Sequence, residues 1–211
     1  MAVIYLFGDS ITYGAWDIEG SGWTARLRKY LDEVQLKDDS KYYLCYNLGI
    51  PGETTDGLVG RFDRELSARE RLGEEAVFVF AFGANDSVHV PSMNGFRVPE
   101  DRFIRNMKAA IDSARTVSKN IILANITPVD EAVCASRYGA KDKVRLNKNV
   151  ERYNDLIAAI AQEKMVPAVD VYRPFVDSVP KVLLSEDGLH PNEKGHQLIF
   201  ELVRDALSPL L

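Results

Sequence analysis

Asp187 and His190 stand three positions apart in Asp187-Gly188-Leu189-His190-Pro191, close enough for the carboxylate to bond one ring nitrogen of the imidazole. Such a bond fixes the tautomer and leaves the other nitrogen free to take a proton from a hydroxyl. A hydroxyl is offered by Ser10, in the turn Gly8-Asp9-Ser10-Ile11-Thr12-Tyr13-Gly14 that follows the first apolar run. A serine activated in this way carries out acyl transfer, which also needs donors aimed at the oxyanion of the tetrahedral intermediate. Two segments offer them. In Asn47-Leu48-Gly49-Ile50-Pro51-Gly52-Glu53-Thr54, Gly52 lets a backbone N–H approach a ligand with no side chain in the way, and Thr54 can start a helix. In Gly83-Ala84-Asn85-Asp86, the Asn85 amide is a neutral donor. Each segment also has an ordinary use. A Ser at a strand-to-helix turn is more often an N-cap than a nucleophile, Asp-Gly makes turns, His190 can cap the helix it enters, and Gly and Asn fill loops.

The elements that must position these residues follow from hydrophobic periodicity. Short runs rich in branched and aromatic residues read as strands at Ala2 to Phe7, Tyr42 to Asn47, Ala76 to Phe82, Ile121 to Ile126 and Val166 to Val171. Most are apolar on both faces, as in strands buried between helices. The stretches between carry the helical period: Trp23, Leu27, Tyr30, Leu31 and Val34; Leu58, Phe62 and Leu66; Phe103, Met107, Ala110, Ile111 and Ala114; Leu146, Val150, Tyr153, Ile157 and Ile160. A last helix carries Leu198, Ile199, Leu202, Val203 and Ala206, with Pro191 expected near its first turn. This alternation predicts an α/β fold, a parallel doubly wound sheet with helices on both faces, in one domain over residues 1–211. Pro167 suits an edge strand. In such a sheet the candidate segments, which follow strands one, two, three and five, all fall at the carboxyl edge, where ligands bind. Two long stretches without a period, 87–99 and 127–142, follow strands three and four; they read equally as walls of that site or as tolerated surface insertions.

The 211 residues are 46% hydrophobic and 27% charged with a net charge of −5, which fits a globular chain and argues against a nucleic-acid or anionic-membrane surface. No apolar run approaches a membrane span, and the first residues lack a basic region and a cleavage site, so the chain reads as cytoplasmic unless a signal segment was removed. Cys45 and Cys134 have no metal-binding spacing and are expected as free thiols. His89 and His196 have no nearby carboxylate partner and read as structural or solvated. Trp23 is in phase with its helix and reads as core; Tyr13 and Trp16, near Ser10, are open to a pocket role. No heptad or interface stripe sets an oligomeric state.

Taken in order, Gly8-Asp9-Ser10, the glycine block 47–54, Gly83-Ala84-Asn85-Asp86 and Asp187 to Pro191 resemble the signature blocks of the SGNH/GDSL hydrolases, over most of the chain. The resemblance implies a flavodoxin-like three-layer α/β/α sandwich on a five-stranded sheet. It implies Ser10 as nucleophile, His190 as general base and acid, and Asp187 as its orienting partner. It further implies an oxyanion hole made by the N–H groups of Ser10 and Gly52 and the Asn85 side chain. Gly52 is preferred to Gly49 because it precedes Glu53-Thr54. Asp9 and Asp86 are expected to hold the site's turns rather than to react. The expected reaction is hydrolysis of a small-molecule carboxylic ester without metal or organic cofactor. Short acyl or acetyl esters, including those of carbohydrates, are favoured over the thioesters and lysophospholipids that relatives also cleave. The Gly-x-Ser-x-Gly elbow of α/β-hydrolases is absent. The competing class is a flavin- or nucleotide-binding protein, or a non-catalytic ligand-binding relative. Against the first, Asp9 would place a negative charge beside the phosphate, and no Gly-x-Gly-x-x-Gly or Walker element is present.

Overall fold

A computed structural model describes residues 1–71, 73–178 and 180–211. In chain order the elements are β1 (Ala2–Gly8), α1 (Ser10–Tyr13), α2 (Trp23–Lys37), β2 (Tyr43–Gly49), α3 (Thr55–Ser67), β3 (Glu75–Ala81), β4 (His89–Val90), β5 (Gly95–Phe96) and α4 (Glu100–Arg115). There follow β6 (Asn120–Ala124), α5 (Glu131–Tyr138), α6 (Asn147–Lys164), β7 (Ala168–Val169), α7 (Tyr172–Asp177), α8 (Pro180–Leu183) and α9 (Glu193–Leu207).

The main sheet has five parallel strands in the order β2-β1-β3-β6-β7. Alternate side chains of β1 serve opposite faces, as a period of two requires. Val3, Tyr5 and Phe7 face α3, α4 and α6 through Phe62, Phe103 and Tyr153, whereas Ile4 and Leu6 face α2 and α9 through Trp23, Leu27 and Val203. Each such fully buried side chain contributes roughly 1.5–3 kcal/mol. The chain runs from β1 to β2 toward one edge and from β3 through β6 to β7 toward the other. The order therefore reverses between β1 and β3, and a crevice opens at their carboxyl ends.

Several expected boundaries move, each because a side chain takes over backbone hydrogen bonding. The fourth strand stops at Ala124 instead of Ile126, because Asn154 of α6 bonds both the Ile126 N–H (2.8 Å) and its carbonyl (3.1 Å). The fifth, expected over 166–171, shrinks to Ala168–Val169: Pro167 has no N–H to give, and the Val171 N–H donates to Asn125 Oδ1 (2.6 Å). As expected for its proline, it is an edge strand. Pro191 lies outside the last helix; Asn192 caps it, accepting from the Lys194 and Gly195 N–H groups (3.0 and 3.1 Å). The long stretches are not featureless. The first holds the hairpin β4–β5, and the second holds α5, whose Asp130 cap accepts from the Val133 N–H (3.2 Å). His89 and Val144 exchange backbone bonds of 3.0 and 2.9 Å, tying the hairpin to the segment that leaves α5.

Candidate active site

β1 ends at Gly8, and Asp9 caps the four-residue α1, its Oδ1 accepting from the Ile11 N–H at 2.9 Å. Because Asp9 does the capping, Ser10 at the first helical position keeps its hydroxyl free, and Oγ lies 2.8 Å from His190 Nε2. The second oxygen of Asp9 accepts from Asn85 Nδ2 (3.2 Å), which ties the ends of β1 and β3 together. An amide nitrogen carries two hydrogens, so the Asp9 bond orients Asn85 and leaves one hydrogen for the cleft. Burial pushes the Asp9 carboxyl up to about 6, against the opposing Ile11 and Asn85 hydrogen bonds and the nearby His190. Asp86 is likewise raised to about 6 by burial, and its Oδ1 accepts from the Thr55 N–H (2.9 Å) and Oγ1 (2.6 Å). Thr54, at the cap position of α3, makes no capping bond with its side chain; Asp86, in the turn after β3, accepts from the first N–H of the helix instead.

The two candidate glycines separate cleanly. The Gly49 N–H is spent on Asn47 Oδ1 (2.9 Å), and a Cβ there would sit 2.2 Å from the Tyr13 nitrogen. Gly52 has φ +77°, lines the cleft, and its N–H meets no protein acceptor among the described residues. The positive φ favours glycine even though a Cβ would have open space.

On the opposite wall, His190 Nδ1 lies 2.6 Å from Asp187 Oδ2. The Asp187 Oδ1 accepts from Ser185 Oγ (2.8 Å) and from the Leu189 and His190 N–H groups (both 2.9 Å). Tyr138 Oη and Trp16 Nε1 both lie 2.9 Å from Oδ2. Burial alone would raise this carboxyl, but the bonds from the His190 ring and the two backbone groups prevail and hold it well below the usual carboxylate range. The Trp16 indole also lies 2.8 Å from His190 Nδ1; with the Nδ1 proton directed at Asp187, the single indole hydrogen goes to the carboxylate. Tyr138, desolvated and bonded to Asp187, is raised to about 12 and stays a donor.

Trp16 is delivered by a loop pinned from beneath. Asp17 accepts from the Gly20 and Gly22 N–H groups (2.8 and 3.0 Å) and pairs with Arg26 at 3.0 Å. Gly14 and Gly22, both at positive φ, touch: a Cβ on Gly22 would lie 2.3 Å from Gly14 Cα. His196, fully buried, accepts the Trp23 N–H at Nδ1 (3.3 Å), and its Nε2 donates to the Ala15 carbonyl (3.2 Å). Burial lowers its pKa to about 4, so the ring is a neutral strut at neutral pH. Trp16 itself stands at φ +70°, a strained conformation for a bulky residue, 61% exposed and edge-on to His190 with ring centroids 5.7 Å apart.

Ser10, Gly52, Asn85 and His190 thus line one cleft of about 580 Å³, with Asp187 behind His190. Trp23 is core, and Cys45 and Cys134 are buried free thiols. His89 is half-buried and edge-on to Phe96. Sequence reasoning missed Ser185, Tyr138 and the Trp16 contact with Asp187. The signal for Tyr138 was present: Asp130-Glu131 is a helix start, and from it Cys134 and Tyr138 are four residues apart on one face. Among the described residues, no group of three His, Cys, Asp or Glu is placed to hold a metal, and no helix is long and apolar enough to cross a membrane.

Residues 6–198 match the model of the GDSL-like Lipase/Acylhydrolase family. The chain belongs to this family. Membership makes it an ester-bond hydrolase, in agreement with the expectation from its signature blocks. The hydrolase is 27% identical to the human isoamyl acetate-hydrolyzing esterase 1 homolog, over 93% of this chain and 77% of that protein. It is 24% identical to esterase TesA of Pseudomonas aeruginosa, over 99% and 89%. Its fold matches a lipase/acylhydrolase from Enterococcus faecalis with a TM-score of 0.78 at 21% identity, covering 100% of this chain and 97% of that one. It also matches an acetylxylan esterase from Geobacillus stearothermophilus with a TM-score of 0.73 at 20% identity, covering 97% and 92%. These likenesses agree with the predicted three-layer α/β/α architecture on a five-stranded parallel sheet.

Proposed function

We propose that this hydrolase cleaves small carboxylic esters, acetyl esters foremost, through an acyl-enzyme formed on Ser10. The observation that carries the reading is the continuous chain Ser10 Oγ–His190 Nε2 (2.8 Å) and His190 Nδ1–Asp187 Oδ2 (2.6 Å) at the mouth of a cleft. Ser10 Oγ attacks the ester carbon while its proton passes to His190 Nε2. The resulting oxyanion accepts from the N–H groups of Ser10 and Gly52 and from the Asn85 amide. The intermediate collapses by breaking the carbon–oxygen bond to the alcohol, which leaves with the proton from His190. Water then attacks the acyl carbon, giving a proton to His190; the bond to Ser10 breaks, Oγ recovers that proton, and the acid departs. Asp187 stays ionised and stabilises the imidazolium without accepting its proton, consistent with its depressed pKa.

Two likenesses support a short acyl group: one relative is named for isoamyl acetate and one fold neighbour for acetylxylan. Exposed Tyr13 and Trp16 at the cleft supply aromatic surface for the alcohol portion. The test is intact mass and peptide mapping after a fluorophosphonate, followed by an ester series from acetate to decanoate with thioester and lysophospholipid arms. One adduct on Ser10, absent in His190→Ala, and a rate maximum at acetate are expected. Folded protein that takes no adduct overturns the nucleophile; a maximum at long acyl chains, or on the thioester or lysophospholipid, overturns the substrate class.

A further inference from the structure

The chain carries a net charge of −5, yet its cleft is lined by Arg97, Lys143 and Arg145 and by no Asp or Glu. Arg97 follows the β4–β5 hairpin within the first long loop, and Lys143 and Arg145, just past the second, flank Val144, whose backbone pairs with His89 of that hairpin. Ser92 adds a second tie, bonding the Asp142 carboxylate through its N–H and hydroxyl. The loops are therefore joined so as to bring like charges together. Lys143 is lowered first by desolvation and then by the charges of Arg145, Arg97 and Lys141, an arrangement that costs stability unless something compensates it.

Arg145 is the unusual member. It is only 9% exposed, and its Nε and Nη1 are buried without any hydrogen-bond partner. Its guanidinium lies 4.8 Å from the centroid of Tyr138, the residue that donates to Asp187. Among the described residues, none of the three cations meets a carboxylate at ion-pair distance. Arg26, Arg61 and Arg102 each leave one buried guanidinium nitrogen idle but are ion-paired, whereas Arg145 leaves two idle with no carboxylate against it; that is expensive, and it marks a place where an acceptor can arrive from the cleft that Arg145 lines. Guanidinium donors match the planar, paired oxygens of carboxylate, sulfate or phosphate.

We propose that Arg145, with Arg97 and Lys143, forms an anion subsite, so that the ester cleaved at Ser10 carries a negatively charged oxygen group elsewhere in the molecule. This rests on the ester-hydrolase reading of the same cleft. It narrows the substrate to an acidic ester, such as the acetyl ester of a hydroxy acid, an acidic sugar, or a sulfated or phosphorylated alcohol.

The test uses paired anionic and neutral esters that share the same reacting ester: 3-acetoxybenzoate against its methyl ester, 3-acetoxyphenyl sulfate and 3-acetoxyphenyl phosphate against 3-acetoxyanisole, and 4-nitrophenyl hemisuccinate against 4-nitrophenyl pentanoate. For the wild type, at least one anionic ester is expected to exceed its neutral partner in kcat/KM by roughly ten- to a hundredfold, the worth of a charge-assisted hydrogen bond. The preferred pair identifies the anion as carboxylate, sulfate or phosphate and the side of the ester that bears it. Arg145→Met should collapse that ratio mainly through KM, Arg145→Lys should restore part of it, and 0.5 M NaCl should shrink it. The double variant Arg97→Gln/Lys143→Gln, at half-buried positions, reports on the subsite should the Arg145→Met protein not fold. Calorimetric binding of 3-hydroxybenzoate, inorganic sulfate and inorganic phosphate to the Ser10→Ala protein reads the subsite without turnover. Neutral esters matching or exceeding their anionic partners in every pair, or variants that lower both members equally, would overturn the subsite while leaving the hydrolase intact. Anion binding that Arg145→Met abolishes, in a protein that cleaves no ester of either kind, would overturn the hydrolase reading and keep the subsite.

Discussion

The two walls of the cleft are built on different physics. Ser10, Gly52 and Asn85 stand at or just beyond the carboxyl ends of β1, β2 and β3, which rest on the two large apolar clusters flanking the sheet. Asp187 and His190 lie on a loop backed by α5 through a small cluster of Val129, Cys134 and Leu189, with Tyr138 against it, and by a dense set of hydrogen bonds to one carboxylate. The sheet-side wall takes its backbone placement from strand register, to which the Asp9 side chain adds the cap of α1 and the bond that orients Asn85. The loop-side wall takes its geometry from polar contacts, each of which one substitution removes.

Four substitutions sharpen that contrast. The largest effect belongs to Ser10→Ala, which should lower ester turnover by roughly 10⁴–10⁶ while thermal unfolding stays within a degree or two of wild type; a variant that retains turnover removes Ser10 from the mechanism. Asn85→Ala should lower kcat by roughly 10²–10³ through loss of an oxyanion donor. It should also leave one oxygen of buried Asp9 unsatisfied, so chemical denaturation should show a loss of about 1–3 kcal/mol. Undiminished kcat would place the oxyanion elsewhere.

His196→Gln tests the strut beneath Trp16. Because burial lowers the histidine to about 4 from an ordinary 6.5, the unfolded chain binds the extra proton between these values. The stability this residue contributes is present above about 6.5 and is lost as pH falls toward about 4. Asp9 and Asp86, both raised to about 6, act oppositely, since their protonation favours the folded state as pH falls from about 6 to 4. The wild-type-minus-variant difference in denaturation free energy isolates the histidine and should shrink by a few kcal/mol between pH 7 and pH 4. A flat difference would mean that the ring does not titrate with folding. The smallest effect is expected for Tyr138→Phe, which removes one donor from Asp187 and should lower kcat about three- to tenfold with KM nearly unchanged. If that change leaves kcat untouched, the loop-side wall is less dependent on single contacts than its geometry implies.

The same contrast explains what could be read from the chain. Strands such as Ala2–Gly8 and helices such as Trp23–Lys37 announce themselves because hydrophobic period and burial coincide. The turns that follow them fall at the carboxyl edge by topology, which is why Ser10, Asn85 and the His190 loop could be assembled without coordinates. What stayed hidden is what side chains do to backbone from a distance. Asn154 truncates β6, Asp86 caps α3 in place of Thr54, and His196 supports Ala15, across separations that no local window spans. The resemblance favours Gly52 over Gly49 and the residues alone leave the choice open; in the structure the Asn47 side chain occupies the Gly49 N–H.

The left-handed Trp16 also makes the molecule its own optical probe. The chain has two tryptophans, and Trp23 is sealed in the core, where a blue-shifted emission is expected. Trp16 is mostly in water and lies edge-on to the imidazole that Ser10 touches, and an imidazolium quenches an excited indole by accepting charge from it. The red part of the emission is therefore expected to respond to charge that appears on the His190 ring. Its quenching during turnover would follow the proton into the imidazole and out again, with no label attached.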